Sequence, residues 1–190
     1  MITVAELKEY LGIALSDTKK DTFLAKVIPM ALTHIESGKV LNRKLASASY
    51  SEEIEGKSNV LYPSQLPITA VTDIKEISGN NELSDLLDDP DTIDNTVRFN
   101  EYEIKLMKGY TFAGKLIKIT YTAGYSDGTL PGAIKQALLE TSAYIFKNSG
   151  QGDSLLMVDS KTTNNSVVSD TVNFKKLDLS YIDSFRKLNI

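Results

Sequence analysis

The chain has 190 residues, 42% of them hydrophobic and 24% charged, which is the balance of a folded water-facing protein long enough to bury a core without covalent staples. It has no cysteine and a single histidine, so disulfides, thiolate chemistry and cysteine-based metal sites are excluded. A formal charge of −4 argues against a protein that grips nucleic acid over its whole surface. The opening MITVAELKEY lacks a basic stretch followed by an apolar run and does not read as a secretion signal. No segment approaches the roughly 20 apolar residues of a membrane span.

Thr3-Val4-Ala5-Glu6 has the spacing of a capping box and predicts a helix to about Tyr10, stopped by Gly12. A second helix is expected from Asp17–Asp21 to about Val40. Phe23, Leu24, Val27, Ile28, Ala31 and Ile35 form its apolar stripe, with a kink at Pro29.

From Leu45 the grammar changes to short apolar runs separated by Gly, Asn, Pro and Ser. SYSEEIEG and NVLYPS predict a hairpin across Gly56–Ser58. Leu66–Ile77 predicts a longer strand, either buried on both faces or bulged, because Ile68 and Ile74 oppose Val71 and Ile77. Glu82–Asp94 carries the acids Glu82, Asp85, Asp88, Asp89, Asp91 and Asp94 with no base, and predicts an exposed loop. TVRFN and EYEIKLMKG predict a hairpin turning at Asn100–Glu101. In Lys115–Ala123, Ile117, Ile119, Tyr121 and Ala123 fall on one face and Lys118, Thr120 and Thr122 on the other.

Leu130-Pro131 opens a third helix with a buried stripe of Ile134, Ala137, Leu138, Thr141 and Ile145. Ala133, Ala137 and Ala143 suit the close approach of another helix. Leu155–Val158 and Val167–Phe174 read as strands around a polar loop, and Asp178–Leu188 as a short helix with Leu179, Ile182, Phe185 and Leu188 on one side. The expected fold is α+β: a small helical bundle core of two N-terminal helices, one central helix and a short C-terminal helix, carrying an inserted antiparallel β-rich domain. The expected division is residues 1–44 plus 126–190 for the core, including an extended arm at about 150–176, and 45–125 for the insert.

Catalytic signals are weak throughout. Gly56-Lys57-Ser58 resembles the end of a phosphate-binding loop, but Ser51 stands where that motif needs glycine, so a hairpin turn is the better reading. Ser16-Asp17-Thr18-Lys19 fits S-x-x-K without its companion elements and is expected to cap the second helix. His34 has no suitably placed orienting carboxylate and reads as structural. The acids of Glu82–Asp94 do not have the calcium-loop spacing. Asn164-Asn165-Ser166 is a glycosylation sequon that means nothing without secretion. No catalytic, cofactor-binding or metal-binding residue is assigned, and no cofactor is expected.

The order of segments is more informative. VAELKEYLGI, DTFLAKVIPMALTHIESGKVLNRKL, a β-rich insert ending in LIKITYTAGY, then LPGAIKQALLETSAYIFKN and LDLSYIDSFRKL together resemble the head–tail connector (adaptor, head completion) proteins of long-tailed bacteriophages. The shared marks are Ile35-Glu36 late in the long helix, the Y-x-A-G-Y strand end, the proline-started helix and the terminal Phe185-Arg186 pair. Gly38-Lys39 and Lys147-Asn148 depart from the Gly-Arg and Asn-Arg pairs frequent in that family.

The resemblance implies a structural virion protein rather than an enzyme. Such a protein is placed at the head–tail junction after assembly in the host cytoplasm, in a ring of about twelve subunits. The ring lies beneath the portal protein and extends the DNA channel towards a stopper or tail protein. DNA passes without specific binding, no membrane is involved, and such adaptors can be monomeric until they dock. Within that reading the arm Gly150–Phe174 and the terminal residues Tyr181, Phe185 and Arg186 are the candidate contacts to portal or neighbour. The alternatives are a tail-completion or stopper protein of the same neck, and a carboxylate-based hydrolase.

Overall fold

A computed structural model describes residues 1–78, 81–85, 97–107, 111–126, 128–149 and 177–186. The fold is α+β with open antiparallel sheets, and the chain separates into two compact units. One comprises Met1–Asn42 and Leu130–Ile190, the other Arg43–Thr129.

In the first unit, α1 spans Val4–Leu11. The Thr3 hydroxyl accepts from the Glu6 N–H, the Glu6 carboxylate accepts from the Thr3 N–H, and Gly12 ends the helix at φ 70°, so the predicted capping box and stop both form. Helix α2 spans Asp21–Glu36, shorter at its C-terminus than the sequence suggested. Ser37 turns extended, and the chain folds back so that the Leu41 N–H reaches the Ile35 carbonyl at 3.0 Å. That return satisfies an end carbonyl and buries Leu41 completely, which a helix continued to Val40 would forgo.

Ser16–Lys19 does not cap α2. Asp17 Oδ1 instead accepts from the Lys19 N–H at 3.2 Å, organising the turn before the helix, and α2 starts from Lys20 without a side-chain cap. Pro29 sits within α2, and both it and Ala25, whose carbonyl loses its helical donor, are exposed to water.

Helix α3 spans Gly132–Asn148, with Pro131 as its N-cap residue. Ile134, Ala137, Leu138, Thr141 and Ile145 are buried, joined by Ser142, Ala143 and Phe146. The helix packs on α1 and α2. Leu7, Ile13, Leu24 and Phe146 form one apolar cluster, and Val27, Ala31 and Ile145 another. The chain ends, among the described residues, in a single 3₁₀ helix, Ser180–Phe185, rather than the longer helix expected over 178–188.

In the second unit a sheet of order β1-β7-β3-β4 is built from β1 (Ala48–Glu55), β3 (Ile68–Ser78), β4 (Asn81–Asp85) and β7 (Leu116–Ala123). A smaller sheet of order β2-β6-β5 contains β2 (Val60–Leu61), β5 (Val97–Phe99) and β6 (Ile104–Leu106). Strand β7 is central and alternates as predicted, burying Ile117, Ile119, Tyr121 and Ala123. Strand β3 pairs with it through two register shifts, the bulged alternative. The β5–β6 hairpin forms, with the Asn100 carboxamide closing the turn by accepting from the N–H groups of Tyr102 and Glu103.

Two expectations fail here. The 49–64 hairpin does not form: β1 pairs along its whole length with β7, while β2 pairs with β6. A two-residue β2 cannot satisfy an eight-residue β1, whereas β7 matches it residue for residue from Ala48↔Ala123 to Glu55↔Leu116. Gly56 is accordingly a close-approach glycine rather than a turn residue; a Cβ there would overlap the Phe112 carbonyl. The acidic stretch is not wholly a loop either, since Asn81–Asp85 adds to β3 as an edge strand. Acids suit an edge, because charge discourages a further strand from adding there. Residues 86–94, the strands expected at 155–158 and 167–174, the arm and the Asn164 sequon lie outside the described residues.

Candidate interaction site

The terminal 3₁₀ helix brings the three predicted contact residues onto the first unit. Its entry is set by Asp178, whose Oδ1 accepts from the Ser180 N–H at 3.0 Å, a bond that holds the carboxyl below its ordinary pKa. Ile182 is fully buried and anchors the turn. The Tyr181 hydroxyl donates to Glu140 Oε2 of α3 at 2.8 Å, and Gln136 donates to Glu140 Oε1 at 2.9 Å. Burial, then the Glu140 carboxylate, raises the Tyr181 pKa, so its proton stays in that bond at any physiological pH. Arg186 Nη2 donates to the Gly38 carbonyl, in the turn after α2, at 3.0 Å. Phe185 is half-buried.

The polar ends of Tyr181 and Arg186 therefore tie the terminal helix down. The Tyr181 ring remains 43% exposed and has exposed Tyr10 of α1 near enough to influence its ionisation. The Tyr181 ring and Arg186 are the exposed parts of this cluster.

The other sequence candidates have structural surroundings. His34 is half-buried on α2, and burial followed by the Lys39 charge lowers its pKa, which keeps it neutral. Ser58 Oγ accepts from the Val60 N–H at 3.1 Å, a local turn contact remote in kind from phosphate binding. Among the described residues no group of three or more His, Cys, Asp or Glu side chains is placed to hold a metal ion. None of the described helices is long and apolar enough to cross a membrane.

Two polar networks escaped sequence reasoning. Tyr121, fully buried on β7, donates to Glu52 Oε1 of β1 at 2.6 Å and accepts from the Gln65 N–H at 3.0 Å. Glu52 Oε1 also accepts from the Ser64 N–H at 2.7 Å. The phenol pKa is pushed up to about 12 by burial and then by Glu52. The available signal was the tyrosine on an otherwise apolar face, since a buried hydroxyl requires a partner. The second network is Lys8, buried between Asp21 at 2.9 Å and the Leu15 carbonyl at 2.8 Å. Its position four residues after the buried-side Val4 gave no distinct signal, because lysines on helices usually reach solvent.

These features define a two-unit α+β protein whose buried polar groups tie elements together. The sequence profile of the head completion protein family matches residues 1–172, and the chain belongs to that family. No curated protein sequence matches the chain.

Solved structures share the fold. A chain in the neck of an empty gene transfer agent particle, computed with C6 symmetry, superposes with TM-score 0.59 at 16% identity, covering 100% of this chain and 91% of its own. A chain in the virion of the native particle gives TM-score 0.57 at 17% identity, with the same coverage of 100% and 91%. One in the neck of the native particle, computed with C12 symmetry, gives 0.55 at 17%, covering 98% and 89%.

Proposed function

We propose that this protein is a structural part of a virion neck: an adaptor that forms a ring beneath the portal, extends the DNA channel towards the tail, and carries out no turnover. The observation that carries the reading is membership of the head completion family over residues 1–172. The structural likeness to chains in particle necks computed with C6 and C12 symmetry supports it.

The organisation suits the task. A sequence-discontinuous helical unit carries a β-rich unit inserted between its two halves, which gives a ring subunit separate surfaces to present. A net-negative chain suits a channel through which DNA must slide rather than stick.

Within this reading the arm Gly150–Phe174 reaches a neighbour or the portal by strand addition, and the Tyr181 ring with Phe185 and Arg186 forms the adjoining contact. The test is to mix the chain with portal rings and image the product. A coaxial ring on the portal is expected; a persistent monomer with no portal affinity overturns the reading. Deleting residues 150–190 is expected to abolish docking, and unchanged docking would refute the contact assignment.

A further inference from the structure

Among the described residues the buried cations are Lys8 and Arg43. Lys8 has an acid, Asp21, at 2.9 Å. Arg43 has none there. Its Nη2 donates to the Tyr125 hydroxyl at 3.2 Å, and its guanidinium carbon lies 5.8 Å from the centre of the same ring. Its Nε is buried without an acceptor. An unpaired buried charge is costly, and folded proteins normally set an acid against it. The phenol is unspent as well. Burial raises its pKa, against the lowering effect of Arg43, so the proton is kept, and among the described residues nothing accepts it. Glu101, in the β5–β6 turn, is near enough to influence the phenol but makes no ion pair with Arg43. Tyr125 is half-buried and neighbouring Tyr102 is 61% exposed, so the pair lies towards the surface.

The backbone fixes this arrangement within one unit. The Tyr125 N–H donates to the Leu45 carbonyl at 2.8 Å, the Ser47 N–H donates to the Tyr125 carbonyl at 3.1 Å, and Ala46 forms a parallel bridge with Tyr125. Gly124 permits the approach, since at φ 102° a Cβ would overlap the Ala46 carbonyl. Arg43 and the last tyrosine of the Y-x-A-G-Y segment are thus held together before any ligand arrives.

We propose that Arg43 and Tyr125 form a binding site for one carboxylate borne by another protein chain. The guanidinium supplies charge and N–H donors, the phenol supplies an O–H donor, and the Tyr102 ring offers an apolar flank for the stem of an aspartate or glutamate. The site stands on its own geometry; its use at a neck contact rests on the function proposed above. A second copy of the chain and the portal are the two sources of such an acid. A DNA phosphate fits less well, because a lone buried cation with Glu101 near it suits a single carboxylate better than a polyanion.

The first test uses the free full-length chain, labelled with ¹⁵N, and follows the Arg43 Nε–H signal during titration with sodium acetate. A saturable shift is expected, absent with sodium chloride at equal ionic strength. Tyr125→Phe keeps the ring and is expected to weaken the acetate response about tenfold, the worth of one charge-assisted hydrogen bond. No response in the unsubstituted chain overturns the proposal, and so does a response to sodium phosphate without one to acetate.

The second test identifies the source. Chains carrying Arg43→Lys, light and isotopically heavy in equal mixture, are assembled on portal rings and treated with a zero-length carbodiimide. Amide cross-links from position 43 to an acid of another copy or of the portal are expected, absent from the unsubstituted chain. Cross-links confined to the same copy, or a ring without any from position 43, overturn the proposal and leave the ring reading intact. A chain that does not assemble overturns the ring reading, and the acetate titration alone then decides the site.

Discussion

Tyr121→Phe tests how the central strand is locked. The substitution keeps the buried ring and removes one oxygen. That oxygen donates to the Glu52 carboxylate at 2.6 Å and accepts from the Gln65 N–H at 3.0 Å. A hydrogen bond to a charged group contributes about 1.5–3 kcal/mol, and a backbone donor left unpaired adds to the loss in proportion to its burial. Gln65 is half-buried and regains some water, and Glu52 keeps its bond from the Ser64 N–H, so the expected cost is about 2–3 kcal/mol.

With a urea slope of about 2 kcal/mol per M, the unfolding midpoint falls by about 1 M, read by circular dichroism because the chain has no tryptophan. Glu52→Gln should lose the charge assistance only, and the double mutant should fall short of the summed losses by about 1 kcal/mol. The same network predicts an alkaline effect. The folded phenol keeps its proton to about 12, above the usual value near 10, so its stabilisation is full below pH 10 and is lost as pH rises towards 12. Tyr121→Phe should flatten that decline in part, since Tyr125 and Tyr181 are shifted upward too. A midpoint change under 0.3 M, or an unaltered alkaline slope, would refute the assignment of the network as the lock, since even one lost charge-assisted bond exceeds roughly 0.6 kcal/mol.

Gly56→Ala should cost about 1–3 kcal/mol in the same urea assay, because the new methyl meets the Phe112 carbonyl where two backbone bonds, Gly56 N–H to Lys115 and Gly114 N–H to Gly56, fix the spacing. Lys8 and Asp21 should respond asymmetrically: Lys8→Met leaves the buried Asp21 Oδ1 without its cation on a carboxylate that is 38% exposed and can hydrate in part, costing about 1–2 kcal/mol, whereas Asp21→Ala leaves a buried ammonium held by the Leu15 carbonyl and costs about 3 kcal/mol. His34 has a lowered folded pKa, so the unfolded chain binds its proton more readily and stability falls as pH drops below 6.5; His34→Gln should shrink the difference in Tm between pH 7.5 and 5.5.

Where local rules are strong and act alone, the elements are readable in advance. The capping box at Thr3–Glu6, the stop at Gly12 and the alternation of Ile117, Ile119, Tyr121 and Ala123 each contain their own instruction. Strand partnership does not. Nothing near Ser49–Glu55 says that its partner lies more than sixty residues later in β7, and adjacency in sequence favoured a hairpin that the register match overrides.

The end of α2 is legible only once Leu41 is known to be buried, because the fold-back from Ser37 serves that burial. The terminal residues show the same limit on the functional side. Tyr181, Phe185 and Arg186 read from the sequence as candidate contacts to portal or neighbour, and the polar ends of Tyr181 and Arg186 bind Glu140 and Gly38 of their own unit.

The Glu52–Tyr121 pair deserves comparison with an acid–base couple, because a carboxylate and a phenol 2.6 Å apart have the geometry for proton transfer. Its surroundings oppose that use. The same carboxylate oxygen already accepts from the Ser64 N–H, and the phenol oxygen accepts from the Gln65 N–H, so both groups are engaged in holding the Ser64–Gln65 segment against β1 and β7. Burial moves the phenol away from neutrality rather than towards it, opposite to the tuning a general acid needs near pH 7. The proton is immobilised, and what the pair fixes is the position of a backbone. The same logic applies to Tyr181 with Glu140 on α3, where a shifted phenol again holds one element to another. In both units a phenol with a raised pKa sits in a tie between elements.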